Sequence, residues 1–292
     1  MFLPIVGNLA HIGCCTNFIP ALACPLQQSV SSTGGVEFAM NKPKKMLEIC
    51  IDSVESALAA ERGGALRVEL CADLLEGGIT PGAGLIAMVR RKIAISMFVM
   101  IRPRGGDFCY TGLEFEVMQA EIENARNLGA DGVVLGLLDE HGAIDICRTR
   151  QLVEFAKPLP VTFHRAIDMT PDLIAAVEDV IASGASRILT SGGAPDVSQG
   201  MYEILRMKEA ANGRIGIMPG GGVSAANIEE LARVTGATEF HASARTSIPS
   251  PVLFRRHDLA MGYLQNSEYL RYVVNEDRVR EMKRALVGNV QA

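Results

Sequence analysis

The 292-residue sequence contains no tryptophan and no block of basic residues interleaved with aromatic ones. Its formal charge is -5, and a nucleic-acid-binding domain would instead carry a basic patch or stripe, so we expect no nucleic-acid partner. The apolar stretch 2–10 is too short and too interrupted to cross a bilayer, which predicts no membrane partner.

The seven cysteines do not form the paired C-x-x-C knuckles of a zinc site. Their number is odd and they are scattered along the chain. In a chain of this length, such usage predicts reduced thiols in a cytoplasmic protein rather than a disulfide framework.

Residues 1–43 differ in character from the rest of the chain. Up to Met40 they carry one formally charged side chain, Glu37, and no basic segment precedes the apolar part as it would in a signal peptide. We predict a disordered N-terminal extension, with a targeting role as the alternative, followed by one domain over 44–292.

Short apolar runs alternate with amphipathic stretches throughout that domain. The predicted strands are 46–51, 66–70, 96–102, 132–136, 160–164, 187–190, 214–218 and 238–241. The predicted helices are 53–62, 84–92, 114–128, 145–156, 171–183, 197–211, 225–234 and 276–286. Eight such pairs predict an α/β fold, a closed (β/α)₈ TIM-type barrel. An open sheet is less favoured, because the G-x-G-x-x-G turn of open nucleotide-binding folds is absent.

The first two strands share a Glu-x-Cys pattern, at Glu48 and Cys50 and again at Glu69 and Cys71. Strand residues two apart lie on one face, and neighbouring strands lie about 4.8 Å apart, so the two sulfurs could share an ion. A thiolate pair is soft and selects Cu(I) over Mg²⁺ or Ca²⁺. The alternative is two ordinary core thiols, since free cysteine is often buried.

The strand faces opposite the apolar ones carry several ionisable groups. The candidate acid–base residues, if the protein is an enzyme, are Glu48, Glu69, Arg102, His164, Glu239 and His241. Burying so many charges is costly unless they pair. The alternative is therefore a closed polar network, in which Arg102 neutralises Glu48 or Glu69 and His241 hydrogen-bonds Glu239.

A glycine-rich loop follows the seventh predicted strand, and a Ser/Arg segment follows the eighth. The candidate anion-binding residues there are Gly220, Gly221, Gly222, Ser243 and Arg245. Successive glycines expose backbone N–H groups, and phosphate sites of this fold lie at these two loops. The alternative is a tight turn without a ligand.

Several motifs together resemble the CutC family of copper homeostasis proteins, in its animal form, over about residues 46–287. They are SVESA at 53–57, ERGGA at 61–65, VELC at 68–71, MIRPRGGDF at 100–108, PLPVTFHRA at 158–166, LTSG at 189–192, MPGGG at 218–222 and EFHASAR at 239–245. The resemblance implies a (β/α)₈ barrel, a homo-oligomer (dimer or tetramer), a cytoplasmic location that extends to the nucleus, and Cu(I) bound by Cys50 and Cys71. The family has no assigned catalytic activity, so the resemblance leaves open whether the protein is an enzyme.

Two functions from different classes follow, with a purely structural barrel as a third reading. The first is a cytosolic Cu(I)-binding protein that acts in copper homeostasis. The second is a TIM-barrel enzyme that acts on a small phosphorylated ligand by Glu/His acid–base chemistry.

Overall fold

The computed structural model describes residues 45–259, 261 and 268–287. The predicted N-terminal extension lies outside the described residues. The described part contains no helix long and apolar enough to cross a membrane.

Eight parallel strands form one sheet, and neighbouring strands follow chain order from β1 to β7, with β8 beside β1. The strands are β1 Met46–Ile51, β2 Arg67–Leu70, β3 Ser96–Met100, β4 Gly132–Leu135, β5 Val161–Phe163, β6 Arg187–Thr190, β7 Gly216–Pro219 and β8 Glu239–Ala242. A parallel bridge between Gly220 and His241 joins the β7 and β8 edges. The predicted (β/α)₈ barrel is therefore confirmed.

The helices run between the strands and cover the outside of the sheet. They are α1 Val54–Arg62, α2 Ala83–Lys92, α3 Gly112–Asn127, α4 Ile146–Ala156, α5 Leu173–Ser183, α6 Val197–Ala211, α7 Ile228–Thr235 and α8 Glu276–Val287. Leu47, Ile49 and Ile51 of β1 are fully buried in the main apolar core, as their alternation predicts. The intervening residues of the same strand face the barrel interior.

An additional antiparallel hairpin between β8 and α8 was not predicted. Its strands are β9 Arg245–Pro249 and β10 Leu270–Val274. The chain leaves the barrel at Ala244, whose φ of 49° is left-handed. Both strands are half-buried or exposed over most of their length, and neither shows the apolar alternation that marks the barrel strands.

Candidate metal and ligand site at the carboxyl ends of the strands

Two reduced thiols lie side by side at the carboxyl ends of β1 and β2. Cys50 is the fifth residue of β1, and Cys71 directly follows β2. Their Sγ atoms are 3.9 Å apart, and both residues are buried. Gly78 leaves the room for this arrangement, because a Cβ there would lie 3.1 Å from the Cys71 sulfur. The two predicted metal ligands are thus in contact.

A carboxylate and an imidazole extend this thiol pair. Cys71 Sγ donates to Glu69 Oε2 at 3.5 Å, and Glu69 Oε2 lies 3.7 Å from His241 Nε2. The other carboxyl oxygen, Glu69 Oε1, is buried and has no hydrogen-bond partner among the described residues. Four donor side chains therefore form one continuous cluster.

A buried ion network lies beneath this cluster, and Arg67 is its centre. Arg67 donates from Nε to Glu48 and from Nη2 to Glu239 at 2.7 Å. His241 Nδ1 hydrogen-bonds Glu48 Oε1 at 2.7 Å. The alternative reading paired His241 with Glu239, and that pairing is wrong because His241 hydrogen-bonds Glu48. Arg67 was not predicted as a site residue, although it shares the strand face of Glu69 and Cys71.

The two buried carboxyl groups Glu48 and Glu69 have pKa values shifted in opposite directions. Burial raises the pKa of Glu48, but Arg67 and His241 outweigh burial and lower that pKa to about 2. Burial and the nearby Cys50 instead raise the pKa of Glu69 well above its ordinary value. The surroundings of Glu48 therefore favour its anionic form, whereas those of Glu69 favour its protonated form.

Hydrogen bonding shifts the pKa values of Cys50 and Cys71 in opposite directions. The contact with Cys71 lowers the pKa of Cys50 to about 5, and the same contact raises the pKa of Cys71 well above its ordinary value. Burial opposes a charge on His241, but neighbouring Glu69 and Cys50 raise its pKa well above the usual range. These shifts favour a thiolate at Cys50, a thiol at Cys71 and a protonated imidazole at His241.

Glu239 belongs to the opposite end of the barrel interior. It is the first residue of β8 and pairs in register with Met46, the first residue of β1. Arg187 holds its carboxylate with bonds of 2.6 and 3.1 Å, in addition to the bond from Arg67. The candidate acid–base residue Glu239 therefore lies away from the carboxyl end of β8, because the strand starts with it rather than ending near it.

Arg102 holds loops together instead of neutralising a carboxylate. Its guanidinium donates to the backbone carbonyl oxygens of Glu76, Gly78 and Gly106 at 2.7, 3.0 and 2.8 Å. The predicted pairing with Glu48 or Glu69 is therefore wrong. Since β3 ends at Met100, Arg102 lies in the loop beyond the strand and reaches the loop backbone at the carboxyl end of the barrel.

His164 directly follows β5 and is held neutral. Burial and the nearby charge of Arg102 lower its pKa to about 3. Its Nδ1 accepts from the Ala166 backbone N–H at 3.2 Å, so the proton is on Nε2, which is buried and has no partner among the described residues. A Cβ on Gly136 would lie 2.5 Å from the ring, which explains the glycine there.

A cavity of about 320 Å³ opens over these groups at the carboxyl end of the barrel. Cys50, Glu69, Arg102, His164 and His241 line it. Arg165, Asp168, Phe108 and Leu189 also contribute to its wall. Functional sites of (β/α)₈ barrels lie at the carboxyl ends of the strands, and a cavity is present there.

The predicted anion-binding residues do not all face this cavity. Ser243 and Arg245 line a second cavity, with Ser224 and Arg278. Gly221 instead lies next to the main cavity's wall, since a Cβ there would be 3.2 Å from the Arg165 guanidinium. The chain turns into the hairpin β9–β10 at Ala244, and Arg245 lines this second cavity rather than the first, which the linear spacing could not reveal.

The glycine loop after β6 already holds a carboxylate from within the chain. Asp168 accepts from the Ser191 and Gly193 backbone N–H groups at 3.0 Å each, and from Arg165 Nε at 2.8 Å. Backbone N–H groups of such loops suit anions. Here the anion is internal, so this loop is not a free phosphate site.

These features define a (β/α)₈ barrel with a thiol, carboxyl and imidazole cluster in the cavity at the carboxyl ends of its strands. A family model matches residues 45–246. The chain belongs to the CutC family.

Two mammalian relatives and one bacterial relative have similar sequences. The human copper homeostasis protein cutC homolog is 48% identical over 246 residues, covering 84% of this chain and 90% of its own length. The mouse protein of the same name is 49% identical over 238 residues, covering 81% of this chain and 88% of its own. A CutC family protein of Chromobacterium violaceum is 48% identical over 242 residues, covering 83% and 98%.

Solved structures agree with the fold. The CutC protein of Streptococcus agalactiae has a TM-score of 0.64 and 36% identity, over 68% of this chain and 97% of that one. Thiamine phosphate pyrophosphorylase from Pyrococcus furiosus has a TM-score of 0.52 and 16% identity, over 84% and 97%. The second likeness shows a shared barrel architecture alone.

Proposed function

We propose that the protein binds one Cu(I) ion between Cys50 and Cys71 and acts in copper homeostasis. The observation that carries this proposal is the 3.9 Å separation of two buried, reduced sulfurs. Two relatives at 48% and 49% identity bear the name copper homeostasis protein, which supports the same role here. Since soft thiolates prefer Cu(I), the donor type fits the ion.

The separation of the sulfurs allows one ion to bridge them without strand movement. Metal–sulfur bonds are about 2.3 Å long, so two of them can span at most about 4.6 Å. The observed 3.9 Å lies inside that limit. Cys50 lines the cavity, which gives an ion a path from solvent. Cysteine ligands must be reduced, so we place this activity in a reducing compartment such as the cytoplasm.

Changing both ligands should abolish tight copper binding. We expect one Cu(I) per wild-type chain in an anaerobic titration against a chromogenic cuprous chelator. Cys50→Ser/Cys71→Ser should weaken binding by more than about 100-fold, the upper end of the loss caused by removing an outer-shell partner. The matched control is Cys109→Ser/Cys147→Ser, which changes two exposed thiols. Equal stoichiometry and affinity in wild type and Cys50→Ser/Cys71→Ser would refute the proposal.

A second candidate function is acid–base chemistry on a small anionic substrate in the same cavity. Two buried polar atoms, Glu69 Oε1 and His164 Nε2, have no partners among the described residues, and both side chains line the cavity. Protonated Glu69 could donate a proton, and His164 could donate a hydrogen bond to a substrate oxygen. Arg165 and the adjacent Gly221 would receive a phosphate group.

Inorganic phosphate should bind weakly if this second function is correct. We expect broadening of the ³¹P resonance at millimolar phosphate, which corresponds to about 4 kcal/mol of binding free energy. Arg165→Gln should reduce the broadening, and Arg245→Gln tests the loop after β8 separately. No broadening at millimolar phosphate would count against a phosphorylated substrate.

A further inference from the structure

The donor cluster around Cys50 is larger than a two-sulfur Cu(I) site requires. Successive donor atoms lie 3.9 Å apart from Cys50 Sγ to Cys71 Sγ, 3.5 Å from Cys71 Sγ to Glu69 Oε2, and 3.7 Å from Glu69 Oε2 to His241 Nε2. The ligand atoms of both cysteines and Glu69 all lie within 4.8 Å of one another. These are four side chains of the types that bind Zn²⁺.

Three of the separations between these donors are close to the edges of a tetrahedron around zinc. With Zn–S bonds of about 2.3 Å and Zn–N or Zn–O bonds of about 2.0–2.2 Å, adjacent ligands of a tetrahedral site are separated by about 3.4–3.8 Å. The three observed contacts range from 3.5 to 3.9 Å. The two edges that contain sulfur are within about 0.1 Å of tetrahedral lengths, whereas the Glu69–His241 edge must shorten by about 0.3 Å for these donors to surround one ion.

The orientation of the His241 ring suits metal binding through Nε2. Its Nδ1 is held by Glu48 Oε1 at 2.7 Å, which leaves Nε2 on the side of Glu69. Metal-binding histidines commonly hydrogen-bond a carboxylate through the second ring nitrogen, which fixes ring orientation. Arg67 in turn holds Glu48, so the supporting shell is itself anchored in the barrel interior.

Glu69 supplies an independent indication that this cluster binds a ligand. Its Oε1 atom is buried without a hydrogen-bond partner among the described residues, and the side chain is 4% exposed. A buried polar atom without a partner is costly. A cation at the cluster would satisfy this carboxylate, whereas a copper ion held by two sulfurs alone need not do so.

We propose that Cys50, Cys71, Glu69 and His241 Nε2 form a tetrahedral Zn²⁺ site. It shares both sulfurs with the proposed Cu(I) site, so the inference rests on that proposed function for the cysteines and extends it to a second metal. Because the sulfurs are shared, Zn²⁺ and Cu(I) exclude each other. The two harder donors then give the protein a means to hold Zn²⁺ as well as Cu(I) in one cavity.

Cobalt substitution tests this site directly, with the full reduced chain and Co²⁺ as the probe. A tetrahedral site with thiolate ligands gives Co²⁺ intense visible d–d bands and a sulfur-to-metal charge-transfer band in the near ultraviolet. We expect both in wild type, with reversal by stoichiometric Zn²⁺. Glu69→Gln and His241→Gln should each lose tetrahedral intensity and weaken Zn²⁺ affinity by at least about 10-fold. Their matched controls are Glu140→Gln and His141→Gln, at residues that are more than four-fifths exposed.

The outcomes separate this inference from the copper proposal. Octahedral Co²⁺ spectra in a wild-type protein that binds Cu(I) tightly would overturn the zinc site and leave the copper site standing. Tetrahedral spectra without tight Cu(I) binding would support zinc and overturn copper. Glu69→Gln is nearly isosteric, so it provides the test if His241→Gln fails to fold. Unchanged tetrahedral spectra in Glu69→Gln would also overturn the four-donor assignment.

Discussion

Replacing Arg67 with methionine is expected to lower the free energy of unfolding by about 3–5 kcal/mol, the cost of breaking a buried ion pair by removing one partner. The Arg67 side chain is 3% exposed and Glu48 is 1% exposed, so water cannot replace the lost bonds. Glu239 keeps its bonds to Arg187. Most of the loss should therefore come from Glu48, whose remaining partner is His241.

A double substitution separates this electrostatic cost from lost packing. Arg67→Met/Glu48→Gln removes the buried anion together with its cation, and replacing a whole buried pair often costs little. We expect urea denaturation to show the double variant more stable than Arg67→Met alone. Equal stability of the single and double variants would indicate that Arg67 acts through packing, for example through its contact with the Phe98 ring at 4.7 Å.

The second large effect is an acid-dependent loss of stability through His164. Its pKa is about 3 in the folded protein and near 6.5 in an unfolded chain. Between these values the unfolded state binds a proton that the native state does not, so stability falls as pH falls. The stability is fully present above about pH 6.5, and the loss reaches roughly 4 kcal/mol by pH 3, at about 1.4 kcal/mol per pH unit.

The variant His164→Asn isolates this contribution, since an amide oxygen can still accept from the Ala166 N–H and does not titrate. We expect chemical denaturation between pH 7 and pH 4 to give a steeper decline for wild type than for His164→Asn. The difference cancels the effects of Glu48 and other acidic groups common to both proteins. Parallel declines would mean that His164 does not carry the acid sensitivity.

The barrel and its thiol pair could be predicted because each depends on local alternation. Leu47, Ile49 and Ile51 fill one side of β1, which directs Glu48 and Cys50 to the other side. Since parallel strands end at one edge, a repeated Glu-x-Cys pattern in adjacent strands predicts two adjacent sulfurs. The register pairs Cys50 with Glu69, yet the two sulfurs still lie 3.9 Å apart.

The polar partners could not be predicted, because they depend on strand stagger and on where each strand ends. Glu48 lies opposite Arg67 in the β1–β2 register, whereas a phase argument alone also allows Arg102. Arg102 lies beyond the end of β3, so it meets loop carbonyls instead of the interior. Arg245 likewise begins the unpredicted hairpin and lines a separate cavity.

Copper K-edge X-ray absorption of the Cu(I)-loaded protein tests the central claim most directly, because it reports the atoms bound to the metal. The account predicts two sulfur scatterers at about 2.3 Å from copper, close to the usual metal–thiolate length. The same spectrum should lose its sulfur shell in Cys50→Ser/Cys71→Ser and keep it in Cys109→Ser/Cys147→Ser. A first shell made only of nitrogen and oxygen, or a sulfur shell that survives the loss of Cys50 and Cys71, would contradict it.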